Sequence, residues 1–270
     1  MIIQYALLVL TGLVAGVFGG LLGIGGSGIL IPAMVWILGA KNQSGVEQIH
    51  QYMAAAMIVN FLLALPSALV HAKNKAVWKS VWIFLTAGAL IGIVSGVEVS
   101  YLFSNEAAKY LRWALGVFFI YVAGQNISRL IRPNTHKDIH KAQAGEIRAW
   151  QKLSVGVSMG FTAGLLGLGG GTLAVPIQQV ALKIPLRNAI ATSAATIASV
   201  SWLGAILKNV QLGDNGTISR SLLLAACLTP TAMIGAWFGG HLTHRLPIQI
   251  VRLAFVGIMI LSALKMFGWI

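Results

Sequence analysis

The sequence predicts an all-α polytopic membrane protein built from two homologous halves. Hydrophobic residues make up 57% of its 270 positions and charged residues only 9%, whereas a soluble domain carries about 25% charged residues. So few polar groups could not cover a globular surface, and the apolar residues fall into long runs. The net charge of +13 lies in short loops between these runs, which indicates membrane topology and contact with anionic lipid rather than nucleic-acid binding.

Apolar runs follow one another along both halves of the chain. Most are long enough to cross a hydrocarbon core of about 30 Å as a helix. As one helix, residues 2–39 would be about 57 Å long, too long for a single crossing. We therefore expect a break and a short second helix here, and another at the short run 171–182. The runs cover about 2–22, 27–39, 50–70, 77–103 and 107–131, then 153–166, 171–182, 188–207, 217–240 and 247–270.

A glycine-rich motif occurs once in each half, at the expected breaks. Residues 19–28 read GGLLGIGGSG before Pro32, and residues 163–172 read AGLLGLGGGT before Pro176. Across residues 16–32, eight of seventeen positions are identical to those 144 residues later. The chain thus divides into a first transmembrane repeat, 1–131, a polar linker, 132–152, and a second transmembrane repeat, 153–270.

The two repeats could be parallel or inverted in the membrane, and the basic residues favour inversion. The inverted arrangement places 13 of the 19 Lys and Arg residues on one face, and the parallel arrangement places 12 on its richer face. Because basic loops stay in the cytoplasm, the linker is predicted to be cytoplasmic and both termini outside. The linker is interpreted as a solvated connector, with a short amphipathic helix on anionic headgroups as the alternative.

The glycine-rich motif predicts an anion site at membrane depth. Glycines allow a sharp turn and close approach to a ligand, and a helix that begins there directs unpaired N–H groups at the ligand. Ser27 and Thr172 are suited to cap the two short helices. The alternative is that the glycines only permit close helix packing, as the spacing of Gly12, Gly16 and Gly20 would allow. A dinucleotide site is excluded because no strand precedes the motif.

Polar residues inside other apolar runs are candidates to complete the site. Asn60 and Gln178 are costly to bury in a membrane helix, whereas a Ser or Thr there often bonds only its own backbone. Glu98 could carry a coupled proton, but its place near a helix end favours a paired or snorkelling side chain. The candidate substrate-binding residues are Gly25, Gly26, Ser27, Gly28, Asn60, Gly169, Gly170, Gly171, Thr172, Gln178, Thr192 and Ser193, with Thr196 and Gln179 nearby.

Neither enzymatic nor metal chemistry is indicated. The chain has no G-x-S-x-G or H-E-x-x-H motif and no carboxylate pair within its apolar runs. The six histidines lie at run ends or in loops without metal-ligand spacing, and the single cysteine, Cys227, excludes an internal disulfide. We expect no catalytic residues, no cofactor and no metal.

The duplicated motif, followed in each half by proline, resembles the TauE/SafE family of sulfite and organosulfonate exporters. Other shared features are Ala191-Thr-Ser193, Gly235-x-x-x-Gly239 and an arginine opening the last helix of each half, Arg112 and Arg252. The first half departs from the pattern, since Ala54-Ala-Ala-Met stands where the second half has Ala191-Thr-Ser-Ala, and Asn60 is expected to compensate. The resemblance implies transport of a small sulfur anion, such as sulfite, thiosulfate or sulfoacetate, across the bacterial inner membrane.

These observations together predict a secondary transporter that works by alternating access. Backbone N–H groups of the two motifs would bind the anion, without a buried Arg or Lys near either break. The rival is a passive anion channel of the same architecture, and a more distant rival is a scaffold in which the glycines serve packing alone. The expected partners are the anion and the bilayer, with a coupled proton and a homodimer left open.

Overall fold

The computed structural model describes residues 2–23, 25–39, 48–103, 108–131, 147–169, 171–213, 217–243 and 247–269. Ten helices and no strand lie within these ranges. The helices are α1 (Ile2–Leu22), α2 (Ser27–Gly39), α3 (Ile49–Lys73), α4 (Lys79–Tyr101), α5 (Ala108–Ile131), α6 (Ala149–Leu166), α7 (Gly171–Ala181), α8 (Leu186–Val210), α9 (Ile218–Leu242) and α10 (Ile248–Phe267).

The helices confirm the predicted fold class. Five of them are long and apolar enough to cross a membrane, namely α1, α3, α4, α8 and α9. The short helices after the two motifs, α2 and α7, have 13 and 11 residues. At 1.5 Å per residue, neither could span a hydrocarbon core of about 30 Å. The chain is therefore a multi-pass membrane protein with a break after the first helix of each half. Most of the linker 132–152 lies outside the described residues.

The helix before each short helix ends at a glycine in the left-handed conformation. Gly23 follows α1 with φ of 63°, and Gly167 follows α6 with φ of 66°. A second glycine of each turn is also left-handed, Gly25 with φ of 76° and Gly169 with φ of 65°. A side chain at such a position costs about 1–2 kcal/mol. The repeated spacing of glycines in the two copies of the motif thus corresponds to the same chain reversal in both halves.

The two repeats are interlocked through glycine-lined helix contacts. A Cβ placed at Gly16 of α1 would lie 2.1 Å from the carbonyl oxygen of Ala232 in α9. A Cβ placed at Gly92 of α4 would likewise lie 2.1 Å from the carbonyl oxygen of Val157 in α6. Such backbone approach requires small residues. Each repeat therefore packs its first helix against the fourth helix of the other repeat.

Close helix packing, the alternative use of the glycines, thus accounts for one subset of them. Gly12, Gly16 and Gly20 all face the backbone or side chains of α9. They lie within α1, before the turn, and helix pairs in membranes associate through such small-residue faces. The left-handed glycines of the turns do not contact α9 in this way, and they lie at the candidate site.

Helices α3 and α8 form the centre of the molecule and run antiparallel. A Cβ at Gly204 of α8 would approach Met57 of α3 to 2.2 Å, while Lys208, one turn later, contacts Met53, one turn earlier. Both helices have 25 residues, and they begin 137 residues apart. This pair carries most of the buried polar side chains of the described chain.

Candidate functional site

The two glycine-rich turns meet at the side chain of Asn60, which is fully buried on α3. A Cβ placed at Gly25 would lie 3.0 Å from Asn60 Oδ1 and 3.7 Å from the carbonyl oxygen of Leu168 in the other turn. A Cβ placed at Gly169 would lie 2.7 Å from Asn60 Nδ2. No residue larger than glycine fits at Gly169 without displacing the amide. The structure thus brings both turns to one polar side chain.

Asn60 caps the start of α2 from outside that helix. Its Oδ1 accepts hydrogen bonds from the backbone N–H groups of Gly26, at 2.8 Å, and Ser27, at 3.1 Å. The carbonyl oxygen of Gly26 accepts the first helical bonds, from Ile29 and Leu30. The prediction that Ser27 caps this helix is wrong, because Ser27 is already its first helical residue and its hydroxyl finds no partner among the described residues.

Two donors at this point remain unpaired within the described part of the chain. The Nδ2 of Asn60 and the Oγ of Ser27 are both buried without a hydrogen-bond partner there. Leaving a buried donor unpaired costs about 1–3 kcal/mol. An oxyanion accepts hydrogen bonds from donors of this kind, an amide N–H and a hydroxyl, and here both lie where the two helix breaks meet. Gly28 is buried in the first turn of α2.

A second polar pair links α7 to α8. The Nε2 of Gln178 donates to the Oγ of Ser193 at 2.7 Å, and both side chains are fully buried. The Oε1 of Gln178 has no partner among the described residues. The structure therefore places Gln178, in the short helix of the second half, against Ser193, in the helix that follows it.

Thr192 and Thr196 are engaged elsewhere. The Oγ of Thr192 accepts from the backbone N–H of Trp78, which precedes α4, at 3.3 Å. Thr196 donates to the carbonyl oxygen of Thr192 in its own helix at 2.9 Å. Thr192 thereby ties the start of α8 to the segment between α3 and α4, and neither of these two hydrogen bonds involves a residue of the turns.

The second motif is only partly described. Gly169 lies within the described residues, Gly170 lies outside them, and Gly171 and Thr172 form the first turn of α7. Thr172 is already the second residue of α7, so the prediction that it caps this helix is wrong, as it is for Ser27. Gln179 lies in α7 and has an interaction partner.

The contacts of the two turns are related by the sequence repeat. A Cβ at Gly23 would approach the carbonyl oxygen of Ile190 to 2.5 Å, and one at Gly167 would approach the Cβ of Met53 to 2.6 Å. Ile190 and Met53 hold the same position in α8 and α3, since both are the fifth residue of their helix. Each turn therefore packs on the central helix of the other repeat. Asn60 breaks this symmetry, because the position in α8 that corresponds to it holds Ile197.

The structure also corrects the expectation that no buried Lys or Arg lies near a break. Lys208 is fully buried near the end of α8, and its Nζ lies 3.9 Å from the Sδ of Met53, the residue that supports Gly167. From sequence, Lys208 stands at the end of an apolar run, where a lysine ordinarily reaches the interface. Only the packing of α3 and α4 against it shows that it does not.

Glu98 is an exposed, paired residue. Its Oε1 accepts a hydrogen bond from the Nε2 of Gln211 at 2.5 Å, which confirms the paired role expected near a helix end. Within the described ranges, no group of three or more His, Cys, Asp or Glu side chains could hold a metal ion.

The chain matches the model of the family described as "Sulfite exporter TauE/SafE" over residues 8–266. The match spans both repeats, both glycine-rich turns and every residue of the candidate site. The chain belongs to the TauE/SafE family.

Curated relatives carry general names within this TauE/SafE group. The chain is 31% identical to the probable membrane transporter protein YunE of Bacillus subtilis, covering 88% of this chain and 87% of YunE. It is 24% identical to the probable membrane transporter protein YjnA of the same organism, over 96% of this chain and 98% of YjnA. No solved structure matches the chain significantly.

One relative is much longer. The chain is 26% identical to the probable membrane transporter protein MamO of Magnetospirillum gryphiswaldense, covering 94% of this chain but only 43% of MamO. Family and relatives together identify a multi-pass membrane transporter, and a transporter implies a small-molecule substrate and a bilayer.

Proposed function

We propose that this protein is a secondary transporter of a small sulfur-containing anion, such as sulfite, thiosulfate or sulfoacetate, in the bacterial inner membrane. The observation that carries the proposal is the position of Asn60 between the two glycine-rich turns. The family description supports the sulfur anion. The arrangement of donors around Asn60 supports the site itself.

Asn60 Oδ1 stands where an oxygen of the anion would bind. It accepts from the N–H groups of Gly26 and Ser27, the first donors of a helix whose positive end favours negative charge. An anion oxygen is a stronger acceptor for these donors than a neutral amide oxygen. When an anion arrives, the amide oxygen gives way to it, and the unpaired Nδ2 and the hydroxyl of Ser27 become further donors.

Binding at this point involves both repeats. Asn60 and the first turn belong to the first repeat, and Gly169 belongs to the second. An anion held between the turns would therefore favour one arrangement of the two repeats over another, which is what alternating access requires. The antiparallel contact of α3 and α8 supports inverted insertion of the repeats. Gln178 and Ser193 would contribute from the second repeat.

Net charge at the site is balanced by helix starts and neutral donors. The first turns of α2 and α7 each present a partial positive charge of about half an elementary charge. Two such helix starts at membrane depth are a known way for discontinuous helices to hold an anion. The site would bind, orient and release the anion without any side chain reacting with it.

Flux in proteoliposomes tests the proposal. Purified protein is reconstituted and offered sulfite, thiosulfate, sulfoacetate, taurine and acetate, with and without an imposed proton gradient. We expect uptake of at least one sulfur anion, no uptake of acetate, and accumulation against the anion gradient when the proton gradient is applied. Uptake that never exceeds equilibrium would identify the rival, a passive anion channel. Equal uptake of acetate would contradict an oxyanion site specific for sulfur anions.

A further inference from the structure

A second buried polar cluster lies one side chain away from the second glycine-rich turn, where α3, α4 and α8 converge. Its centre is the Nζ of Lys208, which donates to the Oγ of Ser100 and lies 3.9 Å from the Sδ of Met53. Lys208 and Ser100 are both fully buried. The Nζ also lies 5.0 Å from the centroid of the Tyr101 ring. A charged side chain fully removed from water is costly unless an anion or several acceptors compensate it.

The acceptors around Lys208 do not supply a compensating negative charge within the described residues. The Oγ of Ser100, the Sδ of Met53 and the ring of Tyr101 are neutral, and no carboxylate there forms an ion pair with Lys208. Glu98, on the same helix as Ser100, is exposed and bonded to Gln211. An ammonium group offers three donors, and these contacts account for two of them.

The other basic group of the cluster is His50. It is fully buried at the start of α3 and stacks on Tyr101 with ring centroids 4.8 Å apart. Its Nε2 donates to the carbonyl oxygen of Phe103 at 3.0 Å, and its Nδ1 has no partner among the described residues. His50 therefore adds a polar edge to the cluster but no negative charge.

The cluster is connected to the second glycine-rich turn by direct contact. The Sδ of Met53 contacts Lys208, and its Cβ supports Gly167, where an added Cβ would approach to 2.6 Å. Met53 precedes Asn60 by seven residues of α3, about 10 Å along the helix axis. The cation is thus two helical turns from the meeting point of the turns, and one side chain away from the turn itself.

The repeat places a basic side chain at the corresponding position of the first half. Lys208 is residue 23 of α8, and His71 is residue 23 of α3. His71 is fully buried as well. Because α3 and α8 are antiparallel, these two basic residues lie at opposite ends of the central helix pair. A basic side chain therefore lies at each end of the helix pair, with Asn60 between the two. Such an arrangement would favour the passage of an anion along the pair.

We propose that Lys208 and Ser100 form a second anion subsite, which a small oxyanion occupies on its way to or from the glycine-rich turns. The ammonium supplies the positive charge, and the Ser100 hydroxyl, which accepts from Lys208, is free to donate to the anion. This inference rests on the proposed function, since the ligand is the transported anion. It adds a charged subsite beside a site otherwise made of neutral donors.

Thermal stabilisation of the purified, full-length protein by methanesulfonate and thiosulfate tests the subsite. The test variant is Lys208→Met, which keeps much of the side-chain volume and removes the charge. The matched control is Lys152→Met, since Lys152 is buried on α6, with its Nζ 5.4 Å from the ring centroid of Phe84. We expect Lys208→Met to weaken anion binding by about tenfold or more, the scale of one charge-assisted hydrogen bond. Lys208→Arg should retain more affinity, and Lys152→Met should bind like wild type.

The melting temperature of each variant without anion provides a second, independent measurement. Replacing a buried cation that lacks a charged partner should leave the protein as stable or more stable, whereas breaking a buried ion pair is strongly destabilising. Glu47, Glu106 and Asp214 lie outside the described residues, a few positions from the ends of α3, α4 and α8, so Glu47→Gln, Glu106→Gln and Asp214→Asn are included. If Lys208→Met melts several degrees lower or does not fold, and any of these three variants does the same, Lys208 is half of a structural ion pair and the proposal is wrong.

The remaining outcomes separate this inference from the proposed function. If wild type is stabilised by the anions and Lys208→Met is stabilised equally, the subsite does not exist while the proposed function stands. If wild type responds to none of the sulfur anions and transports none, the proposed function fails and the subsite with it. Loss of binding in Lys208→Met and in Ser100→Ala, with binding kept in Lys152→Met, supports the subsite.

Discussion

Asn60 and Gly169 approach so closely that a single added methyl group would not fit between them, since a Cβ at Gly169 would lie 2.7 Å from Asn60 Nδ2. Asn60 belongs to the first repeat and Gly169 to the second. The contact joins the halves at the point where each has a broken helix. Substitutions at these two residues therefore test both the local geometry and the proposed site.

Gly169→Ala should destabilise the protein and abolish anion uptake. Its φ of 65° makes a side chain cost about 1–2 kcal/mol, and displacing the Asn60 amide adds to this. Thermal unfolding and proteoliposome uptake would measure the two effects. The matched control is Gly124→Ala, within α5, where an added Cβ meets nothing within 4 Å. There alanine should stabilise by about 0.5–1 kcal/mol. Equal behaviour of the two variants would contradict the close contact.

Asn60→Leu should abolish anion binding and cost about 1–3 kcal/mol of stability, because the N–H groups of Gly26 and Ser27 lose their shared acceptor. A purified sample would be compared with wild type in thermal unfolding and in anion binding. Asn209→Leu is the matched control, since Asn209 is also buried but donates to Ala205 of its own helix. Normal anion binding by Asn60→Leu would remove Asn60 from the site.

Gln178 and Ser193 should behave as one unit. A double-mutant cycle with Gln178→Leu and Ser193→Ala isolates the interaction between them. Their hydrogen bond of 2.7 Å is buried, so we expect a coupling free energy of about 0.5–1.5 kcal/mol in stability. If both residues bind the anion, the single variants should also reduce uptake. Additive effects on stability would show that the hydrogen bond does not form in the membrane.

Gly92→Leu should separate α4 from α6 and lower stability more than any substitution on the lipid-facing surface. A Cβ there would lie 2.1 Å from a carbonyl oxygen of α6, and overpacking of this kind costs about 1–3 kcal/mol or more. Melting temperature in detergent is the measurement. Gly257→Leu in α10 serves as the control, because an added Cβ there meets nothing within 4 Å. A mild effect at Gly92 would mean that the two repeats are not interlocked through this face.

Cysteine labelling should find position 140 in the cytoplasm. The chain has one cysteine, so a His140→Cys variant in a Cys227→Ala background carries a single label site. We expect no reaction with a membrane-impermeant maleimide in intact cells and full reaction in inverted vesicles. Labelling from outside would reverse the predicted orientation. The charge bias that supports it is 13 of 19 basic residues on one face.

Much of the architecture could be predicted from particular sequence features. The length of residues 2–39 required a break, and the structure has one between α1 and α2. The repeated glycines predicted the same turn in both halves, and all four described left-handed glycines of the motifs are at equivalent positions. The Gly12, Gly16 and Gly20 spacing predicted a packing face, which α9 fills. These features are local, because helix length and backbone conformation depend on neighbouring residues.

The partners of the polar residues could not be predicted in the same way. Asn60 was a candidate because amides are costly to bury. Nothing in the sequence indicated that its Oδ1 would accept hydrogen bonds from the N–H groups of Gly26 and Ser27. Ser27, the expected cap, is instead the first residue of the helix it was expected to cap. Lys208 stands at the end of an apolar run and is fully buried. The burial and the hydrogen-bond partners of these residues depend on contacts between helices that are far apart in the chain.

By itself the sequence determined a membrane protein of two repeats with a helix break in each, because apolar length and glycine conformation are properties of short segments. Only the tertiary structure decided that both breaks meet at Asn60 and that Lys208 is enclosed by α3, α4 and α8. The physical reason is that burial and hydrogen-bond partners are set by which helices pack together. That packing includes glycine faces between residues far apart in the chain, such as Gly16 against Ala232.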